Sequence, residues 1–401
     1  MTDLESLHLD GNAADRVVNQ LRSGIPPVGY VRQFTVGRQE ELRTLEHDLA
    51  QGMHARAVLV RANYGGGKTH LLNLVRDLAL LHGYAVSLVI VDAKRGVRFN
   101  RADQIFTAVA RNIQLPDRPG TGIAALFRAY ADADLGALDE DLIADREDLE
   151  DQGKWRQPGA PLSGPVYLGL RAMTIADNDD TKDLVTAWLT SQNPDGIQRY
   201  RLLEELVTDL YVGDPRGRMA LYRELQFRRD AQQPGWDALN GLDTVARLSG
   251  YRGLILLFDE VEDVLQNLNN KTYEAEALKN LFRFFGADYL GGAYFAVTPD
   301  FTHKCRDHLL GKGVMDFPYR RFKELPHFEL SPIEFDDFLK LTAQIMDAHA
   351  QAFEWDPESD LDWSAMREFL RRSWQPRNPS RIRLACQALV EFLDSELDRA
   401  G

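Results

Sequence analysis

One glycine-rich segment, Ala62-Asn63-Tyr64-Gly65-Gly66-Gly67-Lys68-Thr69, indicates the fold class of this chain. A β-type run, Ala57-Val58-Leu59-Val60, precedes it, and an apolar stripe at helical spacing follows it from Leu71. A loop that wraps a phosphate must turn its backbone N–H groups inward, and glycines allow the required backbone angles without side chains in the way. The stretch matches the pattern G-x-x-x-x-G-K-[ST], except that Ala62 replaces the first glycine. It therefore predicts a phosphate loop between a strand and a helix.

Residues in and after the predicted phosphate loop are suited to bind a nucleotide and Mg²⁺. Lys68 can reach the β- and γ-phosphates of a nucleotide, and the Thr69 hydroxyl can bind Mg²⁺. The N-terminus of the following helix adds partial positive charge. His70 is interpreted as a packing or phosphate-adjacent residue and not as a metal ligand. ATP and Mg²⁺ are the expected ligands, and the residues predicted to hold them here are Asn63, Tyr64, Gly65, Gly66, Gly67, Lys68, Thr69 and His70.

A second apolar strand, Leu254-Ile255-Leu256-Leu257-Phe258, ends in two adjacent carboxylates, Asp259 and Glu260. In open parallel α/β sheets, ligands bind at the carboxyl ends of the strands. The two acids are therefore expected beside the phosphate loop. We predict that Asp259 binds Mg²⁺, directly or through water, and that Glu260 orients or deprotonates the attacking water.

A third buried strand, Gly292 to Val297, is followed by a hydroxyl residue, Thr298. Two roles for Thr298 remain open. It lies near the γ-phosphate and senses hydrolysis, as a polar residue does in the larger ATPases with a catalytic glutamate, or it caps the turn at Pro299.

Arginines are expected to meet the charge that develops on the γ-phosphate. Arg321 is the first candidate, from the same chain or a neighbour, with Arg320 as its alternate. A solvated arginine or an ion pair with Glu324 is the competing interpretation. Arg381, at the start of the last predicted helix, could reach the nucleotide from a lid.

Other arginines in the C-terminal part could form a basic strip for DNA or for an acidic partner surface. Basic residues without a recognised nucleic-acid-binding fold are weak evidence for nucleic acid. These residues are Arg367, Arg371, Arg372, Arg377 and Arg383.

The order of predicted elements indicates an α/β fold with a parallel sheet built by right-handed crossovers. We predict an N-terminal arm (1–35), a core (36–330) with a large helical insertion at about 100–245, and a C-terminal helical lid (331–401). The lid is predicted to begin with a helix at Ser331-Pro332-Ile333-Glu334, with Ser331 as its cap.

Composition narrows the class of protein. The 401 residues carry a net charge of −14, which argues against a chain coated in nucleic acid, and an acidic run from Asp132 to Asp151 reads as a solvated face. Only Cys305 and Cys386 are present, so we expect a reducing compartment and no structural zinc, with Cys386 packed in the last helix. A signal peptide and a membrane span are not apparent, and a cytoplasmic location without membrane contact is expected.

Four stretches together resemble a known family. The chain is similar to the ATP-binding proteins of bacterial phage-exclusion (BREX) systems, within the AAA-like P-loop ATPases of the additional-strand, catalytic-glutamate type. The resemblance implies that Gly37 and Arg38 lie near adenine. It also implies a role in anti-phage defence, with partners such as a methyltransferase or a helicase-like protein and with DNA. The stretches are Leu21 to Pro27, Val36 to Leu42, Tyr64 to His70, and Ser249 to Glu262.

Two functions remain open from the sequence. The chain is an ATPase that converts hydrolysis into movement or assembly of a complex, or it is a nucleotide-gated module with negligible turnover. Transfer to a small-molecule acceptor is disfavoured because adjacent Asp259 and Glu260 suit water as the nucleophile. An arginine supplied by a neighbour would require a homo-oligomer.

Overall fold

The computed structural model describes residue 9 and residues 11–63, 65–92, 97–133, 162, 164–175, 179–190, 232–262, 270–374 and 381–400. The strands are β1 (Arg56–Arg61), β2 (Ala85–Ile90), β3 (Ile113–Gln114), β4 (Leu254–Asp259), β5 (Gly292–Val297) and β6 (His327–Glu329). The helices are α1 (Gly11–Arg22), α2 (Gln39–Gln51), α3 (Lys68–Leu81), α4 (Ala102–Arg111), α5 (Ile123–Asp132), α6 (Gly164–Ile175), α7 (Asp179–Thr190), α8 (Gln232–Leu248), α9 (Lys271–Phe285), α10 (Phe301–Gly311), α11 (Phe335–Phe353), α12 (Pro357–Asp360), α13 (Trp363–Ser373) and α14 (Arg381–Ala400).

The six strands form one mixed sheet in the order β3-β2-β4-β5-β1-β6. All neighbouring pairs are parallel except β2 and β3. In the centre, Arg61 pairs with Val297 and Phe258 pairs with Phe295, so β1, β5 and β4 end close together. We call this end the carboxyl edge of the sheet and the opposite end the amino edge.

Both faces of the sheet are buried, which explains why the strands read as continuous apolar runs. Successive side chains of a strand point to opposite faces. Tyr294 and Ala296 pack with α2 and α3 on one face, whereas Ala293 and Phe295 pack with α4, α8 and α9 on the other. Every residue of β4 and β5 is buried.

The region predicted as a helical insertion contributes helices to this second face. Buried side chains of α4, α5, α6 and α8 share one hydrophobic core with the strands, among them Phe106, Phe127, Val166 and Trp236. The sequence did not predict β3, which pairs antiparallel with β2 at the sheet edge. Two residues are too few to leave an alternating pattern. The parts of the insertion at 134–161 and 191–231, with nearly all of the acidic run, lie outside the described residues.

The N-terminal and C-terminal regions pack together. Val17 and Val18 of α1 are fully buried against α11 and α14, in a core that also holds Ile345, Cys386 and Leu389. The predicted packing role of Cys386 is confirmed, and burial raises the pKa of its thiol to about 12.

The predicted start of the first lid helix at Ser331 is wrong. Residues 331–334 are not helical, and α11 begins at Phe335 with Glu334 as its N-cap and Asp337 completing a capping box. The backbone N–H of Ser331 donates to Glu41 Oε1 at 3.2 Å, and its carbonyl accepts from Arg38. Glu41 of α2 binds the N–H of Ser331, and Arg38, which precedes α2, binds its carbonyl. Because both backbone groups are engaged in this way, the helix does not begin at Ser331.

In the described part of the chain, every helix is too short or too polar to cross a lipid bilayer.

Phe258, Phe284 and Phe295 form an aromatic cluster on one face of the sheet. We predict that this cluster dominates the stability of the sheet. The Phe295 ring is fully buried, stacks on Phe258 at 4.9 Å and meets Phe284 at 5.2 Å. Phe295→Ala should lower the free energy of unfolding by about 3–5 kcal/mol, measured by urea denaturation. Leu81→Ala, at a side chain 74% exposed, is the control and should change it by less than about 0.5 kcal/mol. A loss below about 1 kcal/mol in Phe295→Ala would contradict this assignment.

Candidate functional site

The glycine-rich loop lies at the carboxyl edge, between β1 and α3. Gly65 and Gly67 have φ angles of 71° and 92°, which side chains disfavour, and Gly67 is the N-cap of α3. Gly66 has no room for a side chain, because a Cβ there would approach the Asn63 carbonyl oxygen to 2.9 Å. The three glycines are thus required by backbone angle or by space. Ala62, at the first-glycine position of the pattern, is buried. Tyr64 lies outside the described residues.

The first two residues of α3 connect the loop to β4. The Thr69 hydroxyl donates to Asp259 Oδ2 at 2.7 Å. The Lys68 ammonium reaches back to the Ala62 carbonyl at 3.4 Å and forms an ion pair with Glu262 Oε1 at 3.2 Å. The loop and the acid pair, far apart in sequence, therefore belong to one site.

The two adjacent carboxylates differ in environment. Asp259 is the last residue of β4 and is buried, and its second oxygen accepts from the Glu260 backbone N–H at 2.9 Å. Glu260 is exposed and has a φ of 56°, a left-handed conformation that is uncommon for a residue with a side chain. Backbone strain of this kind occurs often at functional sites, which makes Glu260 a functional candidate.

Gly37 and Arg38 connect the loop to the C-terminal region. The buried Arg38 guanidinium donates to Glu41 Oε1 at 3.1 Å, to the Gly66 carbonyl at 3.4 Å and to the Ser331 carbonyl. Gly37 has a φ of 63°, and a Cβ there would lie 2.3 Å from Asp337 Oδ2 of α11. Arg38 is therefore a buried link between α2, the loop and the segment leading into α11.

His70 lies behind the loop. Its Nε2 is 2.9 Å from the Thr35 hydroxyl, and burial, with the nearby Arg38 charge, lowers the pKa of His70 to about 4. The imidazole is therefore neutral near pH 7. This placement agrees with a packing residue next to the loop.

The remaining predicted residues are not all brought to this site. Thr298 directly follows β5, and its carbonyl accepts from the Phe301 N–H at 3.0 Å. The Thr298 hydroxyl oxygen is buried and makes no hydrogen bond within the described part of the chain. Thr298 therefore sits at the carboxyl edge with a buried, unpartnered hydroxyl, and only its carbonyl takes part in the turn before α10.

Arg321 lies away from the loop. It donates to the Phe282 carbonyl at 3.1 Å and its guanidinium stacks over the Phe282 ring at 4.9 Å. Phe282 is in the last turn of α9, which ends shortly before β5 begins, so Arg321 lies toward the amino edge of the sheet. Arg320 is exposed, and Arg381 is the first residue of α14, with its side chain outside the described set.

Two carboxylates at the site were not predicted. Glu262 pairs with Lys68, and Glu41 pairs with Arg38. Glu262 stands two residues after the acid pair, and Glu41 stands one turn after Arg38. This spacing was visible in the sequence, but the partners become evident only in three dimensions.

The metal-binding capacity of the site is small without a nucleotide. Among the described residues, no group of three or more His, Cys, Asp or Glu side chains could hold a metal ion. Thr69 and Asp259 offer two oxygen ligands 2.7 Å apart. This fits Mg²⁺, which is commonly bound by one or two carboxylates together with waters and substrate phosphates.

A glycine-rich loop that opens a helix and faces a carboxylate at a strand end has the form of a site for nucleotide phosphates. The comparison with family models agrees with this class. The model described as BREX system ATP-binding protein BrxC/D matches residues 10–398. The chain therefore belongs to this family of ATP-binding proteins of the BREX system. No curated protein and no solved structure gives a significant match.

The buried Arg38–Glu41 pair should be essential for stability. Glu41→Ala leaves the Arg38 charge buried without its carboxylate, and the expected loss is about 3–5 kcal/mol in the free energy of unfolding, measured by urea denaturation. The exposed pair of Glu40 and Arg43 on the same helix provides a matched control. Glu40→Ala should cost at most about 1 kcal/mol. Equal effects of the two variants would show that burial of the pair is unimportant.

A pH dependence follows from His70. Its folded-state pKa of about 4 lies below the ~6.5 of an unfolded histidine, so the unfolded chain binds the proton more readily between these values. The stability contributed by neutral His70 is complete above pH ~6.5, declines as the pH falls and levels off below about 4. The urea midpoint of the wild type should drop between pH 7.5 and pH 5.0, and this drop should be smaller in His70→Gln. His54→Gln, at an exposed position, should keep the wild-type difference; an unchanged difference in His70→Gln would refute the assignment.

Proposed function

We propose that this chain binds ATP with Mg²⁺ at the carboxyl edge and hydrolyses it, as a P-loop NTPase of the AAA-like, additional-strand catalytic-glutamate type. The observation that carries the proposal is the 2.7 Å hydrogen bond from Thr69 to Asp259, which joins the glycine loop to the acid pair. The sheet order adds support, because β5 lies between β1, which leads into the loop, and β4, which ends in the acids.

Each residue of the proposed site has a task. The backbone N–H groups of 65–69 and the Lys68 ammonium hold the β- and γ-phosphates. Thr69 and Asp259 hold Mg²⁺, which neutralises phosphate charge when bound. Glu260 orients the attacking water and accepts its proton. The neighbouring residues Gly37, Arg38, Asn63, Tyr64 and His70 shape the nucleotide pocket, and Thr298 responds to the γ-phosphate.

In the cell, we propose that nucleotide turnover assembles or remodels a DNA-associated complex in BREX anti-phage defence, in the cytoplasm. The family match supports membership of the BREX system. Within this family we propose the BrxD type, which the four stretches resemble. The proposed partners are other defence proteins of methyltransferase or helicase type, and DNA bound directly or through them. Arg367, Arg371 and Arg372 are exposed on α13, which suits a surface for such a partner.

A nucleotide-gated scaffold with negligible turnover is the second candidate. The position of Arg321 favours it, because an arginine engaged with the Phe282 carbonyl toward the amino edge does not serve the γ-phosphate of its own chain. Fast hydrolysis would then need Arg381 or an arginine from a second copy or partner. A single chain would hold nucleotide and turn over slowly.

The two candidates are separated by phosphate release and by calorimetry with a non-hydrolysable ATP analogue and Mg²⁺. We expect Lys68→Ala to lose binding, and Glu260→Gln to bind but to turn over at least about 100-fold more slowly than the wild type. Lys323→Ala, at an exposed position, is the control and should match the wild type.

Two outcomes decide between the candidates, and two others contradict the assignments. Stimulation of at least about tenfold by duplex DNA or by oligomerisation favours the ATPase. Binding without measurable turnover under all these conditions favours the scaffold. Full activity of Glu260→Gln contradicts its assigned role, and absence of binding heat in well-folded wild-type protein contradicts both candidates.

A further inference from the structure

Lys68, the residue proposed to hold the phosphates, forms an ion pair with Glu262. The Nζ–Oε1 distance is 3.2 Å, and the two side chains are only 12% and 21% exposed. The pair is therefore more shielded from solvent than an ordinary surface pair, and the attraction is correspondingly stronger.

Glu262 is held in this position by its neighbours in the chain. It follows Val261, which is 1% exposed and anchored in the core behind the sheet. The buried Val261 thus anchors the turn after β4, from which the Glu262 carboxylate reaches Lys68.

We propose that Glu262 is the resting-state counter-ion of Lys68, and that the phosphates of the nucleotide replace it when they bind. This inference rests on the proposed function and adds a regulation of the same site. The carboxylate offers Lys68 an anionic oxygen of the kind that a β- or γ-phosphate offers. Glu262 therefore competes with the nucleotide and lowers its affinity.

The exchange has a structural consequence. Phosphates at Lys68 repel the Glu262 carboxylate, so the turn after β4 must move the side chain away.

The test compares nucleotide affinities of the full chain by calorimetry, with Mg²⁺ and a non-hydrolysable ATP analogue, ADP or AMP. Glu262→Gln keeps the shape of the side chain and removes its charge. We expect it to bind the ATP analogue and ADP about fivefold more tightly than the wild type. AMP lacks the phosphates that Lys68 reaches, so its affinity should not change. Glu391→Gln, at an exposed position of α14, controls for the change in net charge and should behave as the wild type.

Salt provides a second readout, because a charge-based competition weakens as ionic strength rises. The affinity ratio between Glu262→Gln and the wild type should fall toward one between low salt and about 0.5 M salt. A purely structural effect of the substitution would not produce this convergence or the difference between ADP and AMP.

The outcomes distinguish this inference from the proposed function. Wild-type protein that binds no nucleotide contradicts the proposed function and the inference with it. If the wild type binds, then equal or weaker binding of ADP and the ATP analogue by Glu262→Gln overturns the inference alone. An equal gain for AMP also overturns it.

Discussion

The parallel pairing of β1, β5 and β4 sets the position of the glycine loop relative to the acid pair. Because Arg61 lies opposite Val297 and Phe258 opposite Phe295, the three strands end at one edge. The glycine loop and the acid pair follow two of these strands directly, so sheet register alone brings them together. The hydrogen bond between Thr69 and Asp259 then fixes their separation.

The parts of the fold that local pattern determines were predictable from the sequence. The loop, β1, α3, β4 and β5 follow from apolar runs, helical spacing and glycines, and the structure has them at the expected residues. Apart from the meeting of the loop and the acid pair at the sheet edge, contacts between distant segments were not predictable. The start of α11 shifts past Ser331 because Arg38 and Glu41 bind its backbone, and Arg321 turns to the Phe282 carbonyl. A pattern of residue types along the chain carries no information about such partners.

The buried pair of Arg38 and Glu41 explains how the sheet domain and the C-terminal helices are connected. Removing two charges from water costs several kcal/mol, and the cost is offset only if additional hydrogen bonds satisfy the remaining groups. Here those bonds go to the Gly66 and Ser331 carbonyls and come from the Ser331 N–H. A well-packed apolar pair could not bind these backbone groups. Arg38 and Glu41, whose burial carries the desolvation cost, therefore link the glycine-rich loop to the segment before α11.

The backbone at Glu260 accounts for the different environments of the two adjacent carboxylates. Along an extended strand, successive side chains point to opposite faces, and both faces of β4 are buried. A second acid continuing the strand would therefore enter an apolar core, where an unpaired charge is very costly. The left-handed φ of 56° ends the strand at Asp259 and leaves Glu260 exposed at the carboxyl edge. Strain of about 1–3 kcal/mol is the smaller cost, and it places one buried and one exposed acid side by side at the strand end.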